Sequence, residues 1–310
     1  MSKLKTVMFY PGQGSQKPGM GKKFYAPNNW CDNMWQEANE ILGYNLKEIL
    51  FRGTKKDLKN TEITQPAVYM TEMFTHKALN RRGVNPDIVA GHSLGEYGAV
   101  VASGAMDWKT GLNLVDFRGK LFSKISQKNP GSMIVVIGMK EKLLEAALAD
   151  IDGVAEIVNY NSPGQLVVSV QKNIVGKTIK AIKKAGARLV KELEVSGGFH
   201  SALMDEAVPE MAKKVDKITL KDPDKVIYAN CTGLPLSTGD EIKQELIKQV
   251  NSPVRWISTV ENIYNDIGDA VYLEVGPGKV LKGLVRRINR NIKLQGITTP
   301  DDINKISSGG

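Results

Sequence analysis

One serine set between two glycines, three histidines and a glycine-rich loop near the start carry most of the chemistry this sequence can offer. In DIVAGHSLGEYGAVVASG, the stretch Gly91-His92-Ser93-Leu94-Gly95 fits G-x-S-x-G, with an apolar strand-like run before it and a helix-forming run after it. A strand-to-helix turn that tight leaves no room for side chains two positions either side of the serine, and it pushes the hydroxyl out over the sheet. The helix start behind the serine, at the amide of Leu94, is placed to hold an acyl oxyanion. A plain turn is the other reading of the motif on its own.

A nucleophilic serine needs a base. His76 lies in a helix with one apolar face and reads as a surface or helix-end residue. His92 adjoins the serine, and strand alternation should turn it away, as a packing or supporting group. Elimination leaves His200, in VSGGFHSALM, as the candidate. The loop FYPGQGSQKPGMGKK raises a separate question, since its glycines suggest a phosphate cradle. A dinucleotide fingerprint from Gly12 and Gly14 needs glycine where Lys17 stands. A Walker pattern ending at Gly21 and Lys22 needs glycine at Gln16 and Ser or Thr at Lys23. Both templates fail, so these amides serve some other group.

The elements that must hold these residues alternate in type. TVMFY, PDIVAG and GEYGAVVASGAM, with the longer periodic runs WCDNMWQEANEIL, QPAVYMTEMFTHKALNRRG and KTGLNLVDFRGKLFSKIS, predict an α/β fold with a mostly parallel, helix-covered sheet. From Ser132 the spacing tightens to strand, helix, strand, strand, helix, strand, the ferredoxin-like order. The expected division is a catalytic part in 1–130 and 197–310 with a small inserted unit in 131–196. Only the terminal SSGG reads as disordered.

Composition narrows the class. A chain of 310 residues, 42% hydrophobic and 24% charged, is ordinary globular material. The start, MSKLKTVMFYPG, reads as neither a signal peptide nor a membrane span. Cys31 and Cys231 lie far apart with no CxxC and no histidine at metal spacing, which suits a reducing compartment and offers no zinc site. The net charge of +9 admits an acidic partner. Its basic runs lack an aromatic-interleaved RNA signature, so neither nucleic acid nor a membrane is the expected partner.

Five motifs in order, GQGSQ, GHSLGEY, NYNSPGQ, FHSALM and EVGPGKVL, resemble the malonyl-CoA:acyl carrier protein transacylases of fatty acid synthesis, from about Thr6 to Ile288. The resemblance implies an α/β-hydrolase-like large subdomain holding the nucleophile and a ferredoxin-like small one closing over it. It implies Ser93 as nucleophile, His200 as base, and backbone amides of Gln13 and Leu94 as the oxyanion hole. Arg118 matches the arginine that pairs with the malonyl carboxylate, a role suited to a guanidinium fork. From the residues alone, Arg118 reads as a surface side chain paired with Asp116 or Glu96; Lys120 should face elsewhere. Gln249 matches the glutamine near the carbonyl that orients the histidine, with Asp205 expected at the surface instead. Phe199 matches the residue that narrows the pocket against an α-methyl group, worth about 1–3 kcal/mol. Asn161 matches a cleft-lining position, or is a plain turn residue before Pro163 and Gly164.

The implied substrates are a coenzyme A thioester and an acidic acyl carrier protein, with no cofactor and no metal. The chain would be a cytoplasmic monomer, docking its carrier near Arg286 and Arg287, unless these pair with acids on their own helix. Rival readings are a serine esterase or thioesterase, a non-catalytic carrier-binding module, and an acyltransferase serving a polyketide synthase in trans.

Overall fold

The computed structural model describes residues 4–25 and 30–306, so the first residues of the chain and the terminal SSGG lie outside the described residues. Two sheets organise it. The larger runs β10 (Gln295–Ile297), β9 (Val271–Val275), β1 (Thr6–Tyr10), β2 (Ile88–Gly91), β7 (Val226–Tyr228), β8 (Pro235–Leu236). All pairs are parallel except β7 with β8. The two short edge strands were not read from sequence, since two or three residues carry no periodicity.

β1 is buried along its whole length, as expected of a strand covered on both faces. Alternation divides it: Val7 and Phe9 pack with Trp256, Leu281 and Val285 on one face, Met8 and Tyr10 with the helices Thr61–Asn80 and Trp108–Lys128 on the other. The ring of Trp256 meets Phe9 edge-on at 5.2 Å. In such open sheets ligands gather beyond the carboxyl ends of the strands. Here Tyr10 pairs with Gly91, so the loop after β1 and the turn after β2 start side by side.

The second sheet has the antiparallel order β4 (Ala155–Ser162), β5 (Gln165–Gln171), β3 (Gly131–Ile137), β6 (Leu189–Glu192). The helices Glu141–Ala149 and Val175–Lys184 cover one face with Leu144, Leu148, Val175 and Ile182. A bulge in β4 decides what the other face carries. Ile157 pairs with Val168 and joins the helix-covered cluster, but after the register shift Asn159 pairs with Val167. The extra residue reverses the alternation, and Asn159 and Asn161 then face the large sheet.

Candidate active site

Ser93 sits at the turn from β2 into the helix Gly95–Ala102 with φ of 52°. Among the described residues only one other non-glycine residue has positive φ, His200 at 63°. Such a conformation costs about 1–3 kcal/mol and persists where its surroundings impose it. A Cβ at Gly91 would collide with the Gly95 carbonyl, and one at Gly95 with the Tyr10 carbonyl, so the turn admits no larger residue at either place.

Side chains fasten this turn from behind. Asn230, just beyond β7, accepts from the Ser93 amide at 2.7 Å and donates to the Gly91 carbonyl at 2.6 Å. Its own amide donates to Glu96 at 2.9 Å. Gln249 donates to the Ser93 carbonyl at 2.9 Å and to the other Glu96 oxygen. Burial, reinforced by the neighbouring Glu245 carboxyl, pushes Glu96 far above the usual carboxylate range, towards its neutral form.

His200 Nε2 lies 2.7 Å from the Ser93 hydroxyl, and its Nδ1 lies 2.8 Å from the Gln249 carbonyl. A carbonyl only accepts, so Nδ1 carries the hydrogen and Nε2 is left to take the serine proton. Burial, then the Arg118 charge, lower the imidazole to about 3, which keeps it neutral and ready as a base at ordinary pH. Asp205 is exposed and bonded to Asn251 at 2.8 Å, away from the imidazole.

Arg118 corrects the surface reading, because only 2% of it is exposed. Its helix starts at an Asp107 cap, which accepts from Lys109 and Thr110 at 2.9 and 3.0 Å. Leu114, Val115, Arg118, Phe122 and Ile125 recur at helical spacing on its buried face. Lys120 falls outside that stripe and pairs with Asp116 at 2.7 Å. The guanidinium donates to Gln65 at 2.9 Å, Gln249 at 2.9 Å and the Ser93 hydroxyl at 3.2 Å, and lies 4.2 Å from the Phe122 ring centroid. Every one of these partners is neutral. Among the described residues Arg118 has no ion pair, and its Nε has no partner at all. A buried cation so placed favours an anion in the adjoining space.

That space is a pocket of about 120 Å³ lined by Gln13, Ser93, Arg118, Asn161, Phe199 and His200 among others. Leu94 is buried at the helix start, and Gln249 holds the site from below. The loop after β1 meets the turn where Gly12 backs onto the His92 carbonyl, too close for any Cβ. Among the described residues neither the Gln13 nor the Leu94 backbone amide donates to a partner, whereas the Gln13 side-chain amide donates to the Thr61 hydroxyl at 3.4 Å.

The acyl transferase domain model matches residues 7–298. The chain belongs to that family. It is 34% identical over 306 residues to the malonyl CoA-acyl carrier protein transacylase of Bacillus subtilis, covering 98% of this chain and 96% of the relative. The solved malonyl CoA-acyl carrier protein transacylase of Coxiella burnetii superposes with a TM-score of 0.94 at 30% identity, covering 99% of this chain and 98% of that one. A malonyl-transacylase solved with its type II PKS acyl carrier protein superposes at 0.93 with 32% identity, covering 99% and 100%.

Within this acyl transferase domain, His92 faces sideways rather than towards the serine hydroxyl: Nε2 meets Asn161 Oδ1 at 2.8 Å, and the ring lies 5.6 Å from Trp256. Asn161 is therefore a wall residue in β4 and no plain turn. The Phe199 ring lies 5.1 Å from that of Phe122, tilted 38° to it. His76, one turn before the end of its helix, is half-buried; it bonds the Tyr10 hydroxyl at 2.8 Å and Asn80 at 3.0 Å, and burial lowers it to about 4. Arg287 reaches Gln165 of the second sheet at 2.5 Å, not an acid of its own helix. Sequence reasoning missed Gln65, Asn159 and Asn230. Only Asn230 left a signal, a polar residue at the carboxyl end of a strand.

Proposed function

We propose that this acyltransferase moves a malonyl group from malonyl-CoA to the phosphopantetheine thiol of an acidic acyl carrier protein, through a malonyl ester on Ser93. The observation that carries the reading is the buried Arg118 guanidinium, 3.2 Å from the Ser93 hydroxyl and bonded only to neutral groups. A carboxylate on the acyl group supplies the missing anion in a two-point contact.

His200 takes the serine proton as Ser93 Oγ attacks the thioester carbonyl. The amides of Gln13 and Leu94 receive the oxyanion. As it collapses, the carbon–sulfur bond breaks and His200 returns the proton to the CoA thiolate. The carrier thiol then gives its proton to His200, attacks the ester, and leaves as malonyl thioester while Ser93 regains the proton. The exchange as written calls on no metal or cofactor. The Gln249 carbonyl holds the imidazole tautomer, a weaker stabiliser of imidazolium than a carboxylate. Phe199 and Asn161 shape the acyl pocket.

We read the larger sheet and its helices, 1–130 and 197–310, as an α/β-hydrolase-like catalytic part, and 131–196 as a ferredoxin-like unit; the order β4-β5-β3-β6 supports the second. Burial of the site beneath that unit serves to keep water from the ester. We read the chain as a cytoplasmic monomer of fatty acid synthesis. No disulfide joins Cys31 and Cys231, and no helix among the described residues is long and apolar enough to cross a membrane.

The test is incubation with malonyl-CoA, with and without carrier protein, followed by intact-mass measurement. A malonyl adduct that passes to the carrier, and is absent in Ser93→Ala, is expected. Release of free malonate with no transfer would make the protein a thioesterase.

A further inference from the structure

We propose that Lys17, Lys55 and Lys59 form a phosphate-binding subsite at the outer end of the cleft, which grips the phosphate terminating a pantetheine arm. The proposal rests on the transacylase reading above and adds a binding site to it.

A second cavity, of about 340 Å³, opens off the catalytic pocket, and Gln13, Leu193 and Val195 line both. Pro18, Leu58, Leu193 and Val195 give it apolar walls for the carbons of such an arm, and Gln13 and Gln16 place amide groups along it. Its cations come from separate segments. Lys17 follows β1, whereas Lys55 and Lys59 belong to the segment after the helix Leu46–Arg52, and all three are exposed. One acid stands among them: Glu194 meets Lys59 Nζ at 2.6 Å. Lys59 first, then Lys191 and Lys55, hold that carboxyl below the usual carboxylate range. Three lysines against one carboxylate leave the lining with surplus positive charge, and a lysine binds phosphate as a point charge.

Both substrates present the same chemistry here. The thiol end of each must reach Ser93, and the pantetheine behind it ends in a phosphate, a diphosphate in CoA and a phosphodiester on the carrier protein. One subsite can therefore serve the two half-reactions in turn, as a ping-pong exchange requires.

The test compares donors and acceptors with and without that phosphate, in the unaltered enzyme and in Lys17→Ala/Lys55→Ala, where the Lys59 to Glu194 pair is kept. Acylation of Ser93 is followed from malonyl-CoA and from malonyl-pantetheine, and deacylation by holo carrier protein and by free pantetheine. The double variant is expected to lose about tenfold in kcat/KM with the phosphate-bearing partners and nothing with the phosphate-free ones. A loss confined to malonyl-CoA assigns the subsite to the diphosphate, and one confined to the carrier assigns it to the phosphodiester. Equal losses with and without phosphate, or no loss in either half-reaction, would overturn the subsite. Failure of the unaltered enzyme to take malonyl from either donor would instead sink the transacylase reading, and the subsite with it.

Discussion

On the large-sheet side of the cleft, the amide and carbonyl of Ser93 are both bonded by side chains, Asn230 and Gln249, and these are bonded in turn to Glu96. On the small-sheet side, Asn161 makes one bond, to His92, and the Oδ1 of Asn159 has no partner among the described residues. The strained nucleophile turn occurs where its own amide and carbonyl are both held by side chains. The loosely satisfied groups line the wall that must accommodate an acyl chain and exclude water. Chemistry therefore rests on the fastened wall and its buried Arg118, while the other wall is left free to adapt.

The largest break in that comparison is expected at Arg118. Arg118→Ala removes the cation proposed to meet the malonyl carboxylate, and kcat/KM for malonyl-CoA should fall about a hundredfold or more while acetyl-CoA loses far less. Arg118→Lys should restore little, since an ammonium cannot reproduce the fork shared by Gln65, Gln249 and Ser93. Unchanged preference for malonyl across an acyl-CoA panel would remove the pairing. Next comes Asn230→Ala, which strands the Ser93 amide and the Gly91 carbonyl. Denaturant unfolding should show a loss of about 1–3 kcal/mol. Acylation kcat should drop about tenfold or more with KM little altered, because the serine loses its position and the substrate keeps its contacts. A change confined to KM would show that the turn holds itself.

The sequence made legible those parts whose types have few alternatives. G-x-S-x-G between a strand and a helix left one place for Ser93, and three histidines made elimination possible for His200. Arg118 shows the limit: nothing local separates a buried arginine from a surface one beside Asp116, and only the family resemblance pointed inward. Asn159 was hidden for a different reason. Strict alternation from Ile157 places it with the helix-covered core, and the bulge that reverses this shows only in the register against Val167 of the next strand, which the residue pattern of β4 does not announce. Gln65 lay inside a long apolar helix where its partner, Arg118, is a tertiary matter.

A smaller effect is expected from pH. His200 is lowered to about 3 by burial first and by Arg118 second, so acylation should stay flat from neutral pH well below the ordinary 6.5 of histidine. Arg118→Gln removes the second cause and should move the acid limb upward, with burial still holding it low. Because the folded value lies below the unfolded one, the unfolded chain takes up the proton first on acidification. Stability from this group is full above about 6.5 and is lost as pH falls towards about 3. An acid limb near 6.5 in the unaltered enzyme would mean that the imidazole is not buried beside the guanidinium as described.

The smallest effect is expected on the adaptable wall, and it tests the division of labour directly. Asn161→Ala removes the bond to His92 Nε2 and with it one link between β4 and the turn that carries Ser93. His92 is half-buried with its ring against Trp256, and burial already lowers its imidazole, so the ring stays neutral. Stability should fall by only about 1 kcal/mol. Acylation from malonyl-CoA should change by no more than a few-fold, while the malonyl ester on Ser93 hydrolyses faster in the absence of carrier, because the wall closes less well over it. The informative quantity is the ratio of hydrolysis to transfer. If that ratio rises while acylation holds, the small sheet excludes water without steering the attack; if acylation collapses as in Asn230→Ala with the ratio unchanged, both walls position the nucleophile and the distinction between them fails.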